Sequence, residues 1–248
     1  MKPVIIKSTL LSQFNNLVHG VSTILGGENN SPFKFNLSIN VGDDADIVSR
    51  NRRLFFNTLN VEEENVVLQE QVHGCNISYA DRSEFIKEND ALITDKENLF
   101  LIVNIADCIP ILLFEPKTQI AAAVHSGWKG TEQEILSHTL DKLEKDFGVK
   151  AENLFVYLGP SICKHCYEVD HDVAQKLPPE FVASGNKKYL IDLPGINLKI
   201  LKESGVREDR IQISSLCTFE MKNLLHSYRR DRENAGRMFA LIGMRNLS

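Results

Sequence analysis

Three residues with metal-binding or nucleophilic side chains share one kind of sequence context. His73, Cys108 and His125 each follow an apolar run of strand length, and both histidines lead within two residues into a glycine. Side chains at the ends of neighbouring strands can converge on one point, because strands are rigid platforms. Two imidazoles and one thiolate suit zinc, and three protein ligands leave a fourth position free for water or substrate. The pattern predicts a catalytic metal site, with zinc as the first candidate and copper as the alternative.

The same residues permit a second chemistry. A Cys108 thiol activated by His125 as its base would be the nucleophile of a thiol hydrolase or amidase. His73 separates the two interpretations, because such a pair needs no second imidazole near the thiol. A lone histidine or cysteine at a strand end is more often structural, and no fixed-spacing motif such as His-Glu-x-x-His supports the site. These alternatives stay open on spacing alone.

A second thiol motif lies further along the chain. Cys163 and Cys166 form a Cys-x-x-Cys pair, which is either half of a zinc site or a redox pair. No second Cys-x-x-Cys exists to complete a zinc site, and a structural role is the simplest interpretation. The chain has five cysteines, and this odd number does not suggest a disulfide framework.

The elements that must position these residues follow one another irregularly. Hydrophobic patterns predict strands at 17–24, 66–72, 91–94, 99–105, 111–114, 120–124, 154–158, 211–214 and 239–243. Helical patterns cover 46–57, 131–147, 170–177 and 196–203. Several strands come in direct succession, so a regular βαβ alternation is excluded. We therefore expect an α/β (or α+β) fold, in which residues 1–248 form a single domain with a mixed β-sheet flanked by helices.

The helix at 131–147 has the clearest signals. Thr131 and Glu134 have the spacing of a capping box, in which each side chain binds a free N–H of the first turn. One apolar stripe follows, formed by Leu136, Leu140, Leu143 and Phe147. Gly148 supplies the C-terminal stop.

Composition excludes several classes of protein. Charged residues make up 25% of the chain and the formal net charge is −5, which argues against a nucleic-acid-binding surface. The most apolar stretch, residues 99–114, is too short and too polar to span a membrane. The N-terminus lacks the pattern of a signal peptide. We expect a cytoplasmic protein without nucleic-acid or membrane partners, as a monomer or weak homo-oligomer.

Three sequence runs carry a resemblance to a known family. They are Glu70-Gln71-Val72-His73-Gly74, Ala106-Asp107-Cys108-Ile109-Pro110 and Ala123-Val124-His125-Ser126-Gly127-Trp128-Lys129-Gly130. They resemble the peptidoglycan editing factor family, also called polyphenol oxidase or laccase-domain proteins. Shorter runs agree in order along residues 18–243, at 36–37, 41–44, 51–52, 159–162, 167–169, 217–218, 227–231 and 236–237. The chain departs from the family pattern at Ile24, Lys129 and the pair Leu225-His226.

The resemblance implies an activity on purine nucleosides. Members are described as purine nucleoside phosphorylases with adenosine deaminase activity, so the implied partners are a purine nucleoside and phosphate. The implied substrates are adenosine, inosine and methylthioadenosine, and the implied metal ligands are His73, Cys108 and His125. A true multicopper laccase is excluded, because this chain has seven histidines and no His-x-His. A hydrolase that edits peptidoglycan precursors and a non-catalytic binding protein remain the alternatives.

Further site residues follow from the same motifs. Asp107, beside Cys108, is our candidate for moving protons, because zinc deaminases use a carboxylate in that role. Its structural alternative is a turn residue that caps local backbone. Gln71, two residues before His73, would face the same side of a strand and orient the substrate. Phosphate needs cations, and the candidates within family-like motifs are Arg52, Lys129, Arg229 and Arg230.

Overall fold

The chain folds into three β-sheets and six α-helices in the computed structural model, which describes residues 1–27 and 32–246. The strands are Ile5–Ile6 (β1), Leu17–Ser22 (β2), Val66–Gln69 (β3), Ile77–Tyr79 (β4), Phe85–Ile86 (β5), Ala91–Thr94 (β6), Leu99–Ile105 (β7), Ile109–Glu115 (β8), Ile120–Ser126 (β9), Phe155–Leu158 (β10), Glu168–Val169 (β11), Val182–Ser184 (β12), Tyr189–Ile191 (β13), Ile211–Ile213 (β14) and Met238–Met244 (β15). The helices are Ala45–Leu59 (α1), Trp128–Glu132 (α2), Ile135–Phe147 (α3), His171–Ala174 (α4), Leu193–Glu203 (α5) and Tyr228–Asp231 (α6). None of these helices is long and apolar enough to cross a membrane.

Two large sheets form the centre of the molecule. The first has the order β1-β2-β15-β7-β3-β5, and the second has the order β14-β10-β8-β9-β6-β4. Each combines antiparallel neighbours with two parallel pairs, so both are mixed. Strands β11, β13 and β12 form a third, small antiparallel sheet.

The side chains of β7 show how the layers stack. Leu101 and Val103 belong to a buried cluster that also contains residues of β8, β9 and β10, so this face packs against the second sheet. Phe100 and Ile102 point the other way and pack with α1. The outer face of the second sheet packs against α3 and α5. The result is four layers, α–β–β–α, and burial on both faces explains why these strands are apolar almost throughout.

The predicted fold class is confirmed, with more sheet than expected. We predicted one mixed sheet, and the structure has two that pack face to face. Residues 106–108 carry the chain from β7 in the first sheet to β8 in the second. Such a crossing leaves no local pattern, because both strands are buried on both faces. The strands of the small sheet are only two or three residues long, which is too short for a periodic signal.

The predicted capping box at the start of α3 is wrong. Thr131 lies inside α2, and its hydroxyl hydrogen-bonds Ser126 Oγ (2.9 Å) and accepts from Asn197 Nδ2 (3.4 Å). Glu134 has a φ of 57° and precedes α3 without a side-chain cap. Long-range partners therefore replace the local ones. The apolar stripe itself is confirmed, because its leucines are buried and Phe147 packs against the same core.

Two predicted elements end three residues earlier in the structure. The strand predicted for 66–72 ends at Gln69, and the helix predicted for 170–177 ends at Ala174. The shortened strand matters for the site, because His73 and Gln71 then lie in a loop and not on one face of a strand.

Candidate functional site

His73, Cys108 and His125 come together at one end of the two-sheet core. Their ligand atoms all lie within 4.8 Å of one another, although the three residues are supplied by separate segments. His73 lies four residues beyond β3, Cys108 lies between β7 and β8, and His125 is the second-last residue of β9. The side chains range from exposed (His73) through half-buried (Cys108) to buried (His125), so the cluster opens to one side.

Asp90, which the sequence did not identify, hydrogen-bonds to both His73 and His125 on the side away from the cavity lining. It is fully buried, immediately before β6, and its Oδ1 accepts hydrogen bonds from His125 Nδ1 (2.8 Å) and the His73 N–H (3.1 Å). Its Oδ2 accepts from the N–H groups of Gly74 (2.7 Å) and Val72 (3.2 Å). A carboxylate behind a metal-binding histidine fixes the ring and leaves the other nitrogen for the metal. The only local signal was an acidic residue directly before an apolar strand.

Gly127 gives the cluster room to form. A Cβ at this position would lie 2.8 Å from Cys108 Sγ and 3.4 Å from His73 Cδ2. The first distance is shorter than side-chain carbons tolerate, so the backbone can approach the sulfur only without a side chain. The glycine after the His125 strand is therefore part of the site.

The electrostatics favour a thiolate at Cys108. Burial alone would raise the pKa of this thiol, but the charge and hydrogen bond of His125, together with His73, lower it to about 6. Burial alone would lower the pKa of His125, but the Cys108 thiolate and Asp90 raise it to about 9. Thiolate is the form of cysteine that binds metal ions and attacks electrophiles.

The cluster fits a metal ion by its donor set. Two imidazoles and a thiolate lie within reach of one cation, and Asp90 supplies the carboxylate that zinc-binding histidines commonly have behind them. His73 is the discriminating residue, because a Cys–His nucleophile pair alone would not place a second imidazole beside the sulfur. Its ring lies 4.8 Å from that of His125, between centroids.

The cluster faces a cavity of about 600 Å³. The cavity combines cations with aromatic rings: the guanidinium carbon of Arg229 lies 5.4 Å from the Tyr167 ring centroid, and that of Arg237 lies 5.4 Å from the Tyr228 ring centroid. The residues that line it are Ser38, Asn40, Val41, Gln69, Gln71, His73, Asn104, Ala106, Asp107, Cys108, His125, Trp128, Tyr167, Tyr228, Arg229, Arg232 and Arg237.

Asp107 lines the cavity, and each of its carboxylate oxygens accepts a hydrogen bond from within the protein. Its Oδ1 accepts from Thr218 Oγ1 (2.6 Å), and its Oδ2 accepts from the Arg229 N–H (2.6 Å). Its backbone has a φ of 99°, and its carbonyl accepts from the Ile162 N–H (2.9 Å). Asp107 thus ties the Cys108 turn to two distant segments.

Gln71 and Arg229 are the two predicted substrate-binding residues that line the cavity. The Gln71 side chain pairs with the backbone of Asn104: it donates to the carbonyl (2.9 Å) and accepts from the N–H (2.6 Å). The Gln71 side chain thus makes the hydrogen bonds to β7 that the backbone of β3, which ends at Gln69, does not make. Among the described residues the Arg229 guanidinium has no hydrogen-bond or ion-pair partner, so its N–H donors remain free for a ligand.

The other three predicted cations lie outside the cavity lining. Arg52 donates to the Leu37 carbonyl (2.7 Å), and its guanidinium carbon lies 5.3 Å from the Phe239 ring centroid. Lys129 is exposed beside Trp128.

Arg230 is engaged entirely within the protein. It forms an ion pair with Asp231 and donates to the carbonyls of Thr218, Phe219 and Leu225. It therefore holds loops together behind the site.

Arg232 and Arg237 line the cavity and were not among the predicted residues. Arg237 donates to the carbonyls of Ala235 (2.7 Å) and Gly236 (3.1 Å), and burial lowers the pKa of its guanidinium. The Gly236-Arg237 run was a signal, because it belongs to the C-terminal motif of the resemblance.

Comparison with known proteins agrees across nearly the whole chain. A family model described as "Multi-copper polyphenol oxidoreductase laccase" matches residues 18–245. "Purine nucleoside phosphorylase YlmD" of Bacillus subtilis is 31% identical, over 92% of this chain and 89% of that protein. "Purine nucleoside phosphorylase" of Deinococcus radiodurans is 33% identical, over 91% and 88%.

Solved structures give the same result. The crystal structure of YlmD from Geobacillus stearothermophilus superposes with a TM-score of 0.91 at 31% identity, over 99% of this chain and 97% of that chain. Protein NMB0706 of Neisseria meningitidis superposes with a TM-score of 0.83 at 26% identity, over 99% and 100%. The resemblance in the motifs is thereby confirmed, and the chain belongs to the family described as multi-copper polyphenol oxidoreductase laccase, the laccase-domain family.

Proposed function

We propose that this protein is a purine nucleoside phosphorylase that acts on adenosine, inosine and methylthioadenosine, and that it also deaminates adenosine. The observation that carries the proposal is one cavity in which a metal-type donor set faces free arginines and aromatic rings. The names of the relatives support the phosphorylase activity. The protein would use a purine nucleoside and phosphate as its partners.

Phosphate binding is assigned to the arginines of the cavity. Phosphate carries negative charge that guanidinium groups match with paired N–H donors. Arg229 and Arg232 have no ion-pair partner among the described residues, and the Arg229 backbone is fixed by Asp107. In the reaction a phosphate oxygen attacks C1′ of the sugar, the C–N bond electrons move to the purine nitrogen, and that nitrogen takes up a proton.

Nucleoside binding is assigned to the aromatic residues and to Gln71. Trp128, Tyr167 and Tyr228 line the same cavity, and aromatic rings are the side chains on which a purine base stacks. Gln71 is fixed by Asn104, so its amide is a rigid part of the wall. A rigid wall orients the base without a large loss of side-chain entropy.

Deamination is assigned to the three-residue cluster. His73, Cys108 and His125 would hold zinc, or copper as the alternative, with Asp90 fixing the ring of His125. When bound, zinc acts as a Lewis acid that makes water a nucleophile at neutral pH. Water adds to the purine carbon and the amino group leaves as ammonia. Asp107, beside Cys108, remains our candidate for moving the proton, and one of its two hydrogen bonds would have to open for it to do so.

One assay tests the proposal. Purified protein is incubated with adenosine, with and without phosphate, and adenine, ribose 1-phosphate and inosine are separated by chromatography. We expect adenine only with phosphate, inosine without phosphate, inosine or its phosphorolysis product hypoxanthine with phosphate, and loss of all these products in Cys108→Ala. The matched control is Cys75→Ala, because Cys75 is half-buried and belongs neither to the cluster with Cys108 nor to the Cys163/Cys166 pair. Absence of phosphate-dependent base release would refute the phosphorylase.

The second candidate is the thiol hydrolase acting on peptidoglycan precursors. The observation that favours it is the Cys108–His125–Asp90 chain, which has the order of a nucleophile, its base and an orienting acid. Rapid alkylation of Cys108 in protein that contains metal would favour this hydrolase. Protection of Cys108 by metal would favour the nucleoside enzyme. A protein that binds nucleoside without turnover would be the non-catalytic alternative.

The proposal extends to assembly and location. Residues 1–248 would act as a single domain, as a monomer or weak homo-oligomer. Nucleosides and phosphate are present in the cytoplasm, where we place the protein. A nucleic-acid or membrane partner has no part in it.

A further inference from the structure

A second cluster of donors lies outside the cavity lining. The sulfur atoms of Cys163, Cys166 and Cys217 all lie within 4.8 Å of one another. Cys217 is 54 positions from Cys163 and is buried, while the other two are half-buried. The pair that looked incomplete in the sequence therefore has a third thiol beside it.

A backbone N–H group points at the Cys217 sulfur. The Cys163 N–H donates to Cys217 Sγ (3.3 Å). Backbone N–H groups aimed at a ligating sulfur are a typical outer layer of thiolate metal sites.

We propose that Cys163, Cys166 and Cys217 bind a structural zinc ion, with the Glu220 carboxylate as the fourth ligand. Glu220 Oε1 lies 3.6 Å from Cys166 Sγ, on the exposed side of the cluster. Tetrahedral zinc with Zn–S bonds of about 2.3 Å places its sulfurs roughly 3.8 Å apart, which fits the observed spread. A disulfide would use two of the three sulfurs and leave the third without a partner, so the three-sulfur arrangement favours a cation.

The ion would join two segments that support the wall of the cavity. Cys163 and Cys166 lie in a turn that ends at Tyr167, whose N–H donates to the Cys163 carbonyl (3.1 Å). Cys217 leads directly into Thr218, whose hydroxyl donates to Asp107. A cation at the cluster therefore fixes Tyr167 and Asp107 relative to each other. This inference does not depend on the proposed nucleoside chemistry.

Metal content and cobalt spectra test the site. Protein is reconstituted with zinc under reducing, oxygen-free conditions, desalted and analysed for metal; the expected value is about two ions per chain in the wild type. Cys108→Ala should keep about one, and Cys166→Ser should also keep about one, because each variant loses a different site. Cobalt-loaded Cys108→Ala should show an intense thiolate-to-cobalt band, which Cys166→Ser in the same background removes. Cys75→Ser should match the wild type.

Two outcomes would overturn the proposal. One is unchanged metal content in Cys166→Ser. The other is an intact mass lower by two hydrogens in freshly purified protein that persists in the presence of zinc, since that identifies a disulfide. If Cys166→Ser misfolds, the cobalt spectrum of Cys108→Ala still tests the site. In that variant the predicted thiolate ligands are those of Cys163, Cys166 and Cys217, so absence of a thiolate-to-cobalt band would contradict the proposal. All of these readouts are independent of nucleoside turnover. A negative result would therefore contradict the second metal site without contradicting the proposed function.

Discussion

The two thiol clusters of this chain differ in what surrounds them. His73, Cys108 and His125 mix imidazole with one sulfur, face a cavity, and have the fully buried Asp90 behind them. The second cluster, Cys163, Cys166 and Cys217, has three sulfurs held by loops and lies outside the cavity lining. An open position beside a substrate cavity is the mark of a catalytic metal site, and a closed, sulfur-rich set is the mark of a structural one. The surroundings, more than the ligands, distinguish the two.

The sharpest test of this comparison is removal of one sulfur from each cluster. Cys108→Ala should lower turnover of adenosine by at least about 10³-fold, because the reacting centre is lost. Cys166→Ser should keep most turnover at low temperature but lower the midpoint of thermal unfolding, because it loses only a stabilising link. Turnover and thermal unfolding are measured on the same preparations. The reverse pattern would mean that the roles of the clusters are exchanged.

Asp90→Asn should weaken metal binding at the first cluster alone. The amide cannot accept both the His125 ring N–H and the backbone N–H groups that the carboxylate now accepts. Loss of such a supporting carboxylate typically costs about 10–100-fold in metal affinity. Competition with a fluorescent chelator gives the affinity, and the cobalt spectrum of the second cluster serves as internal control. Equal weakening at both clusters would indicate a general folding defect.

Arg229→Ala tests whether the cavity supplies phosphate binding. The expected result is a rise in KM for phosphate of about 10-fold or more with a smaller change in kcat, because a charged hydrogen bond contributes roughly 1.5–3 kcal/mol. Arg210→Ala is the matched control: its guanidinium carbon also lies over an aromatic ring, 4.7 Å from the Phe155 centroid, away from the cavity lining. A KM unchanged by Arg229→Ala would move the phosphate site to Arg232 or Arg237.

The buried His226, which lies between Cys217 and Arg229 in the sequence, should make the stability of the protein depend on acid. Burial lowers the pKa of its imidazole to about 3. The unfolded chain takes up a proton near pH 6.5 and the folded protein does not, so stability is full above pH 6.5 and falls as the pH drops from 6.5 towards 3. The free energy of unfolding is measured by urea titration at pH 7.5 and pH 5.5. Between these two pH values it should fall by about 1 kcal/mol less in His226→Phe than in the wild type. His19, whose pKa burial lowers to about 4, stays in both proteins.

The control for the acid experiment is His138→Gln, on the exposed surface of α3. It should follow the wild type at both pH values. An identical pH dependence in His226→Phe and the wild type would show that His226 does not contribute. Any constant cost of fitting the larger ring cancels, because the two pH values are compared within each variant.

The sequence by itself determined the long elements of the core and the three candidate metal ligands. Apolar runs predicted β7 and β9 because burial on both faces leaves a continuous hydrophobic signal that needs no partner to be recognised. The motifs around His73, Cys108 and His125 supplied the family and identified these residues as the candidate metal ligands. The spacing of Leu136, Leu140 and Leu143 predicted the buried face of α3.

Only the tertiary structure decided which distant residues meet. Asp90 contacts His125 across 35 positions, and Cys217 joins Cys163 across 54, and neither pairing has a local pattern. The same limit explains the failed capping box, because Thr131 bonds Asn197, 66 positions away, in preference to its own helix. Local periodicity reports which side chains are buried; the partners they find depend on how two sheets and their loops pack, which is a property of the whole chain.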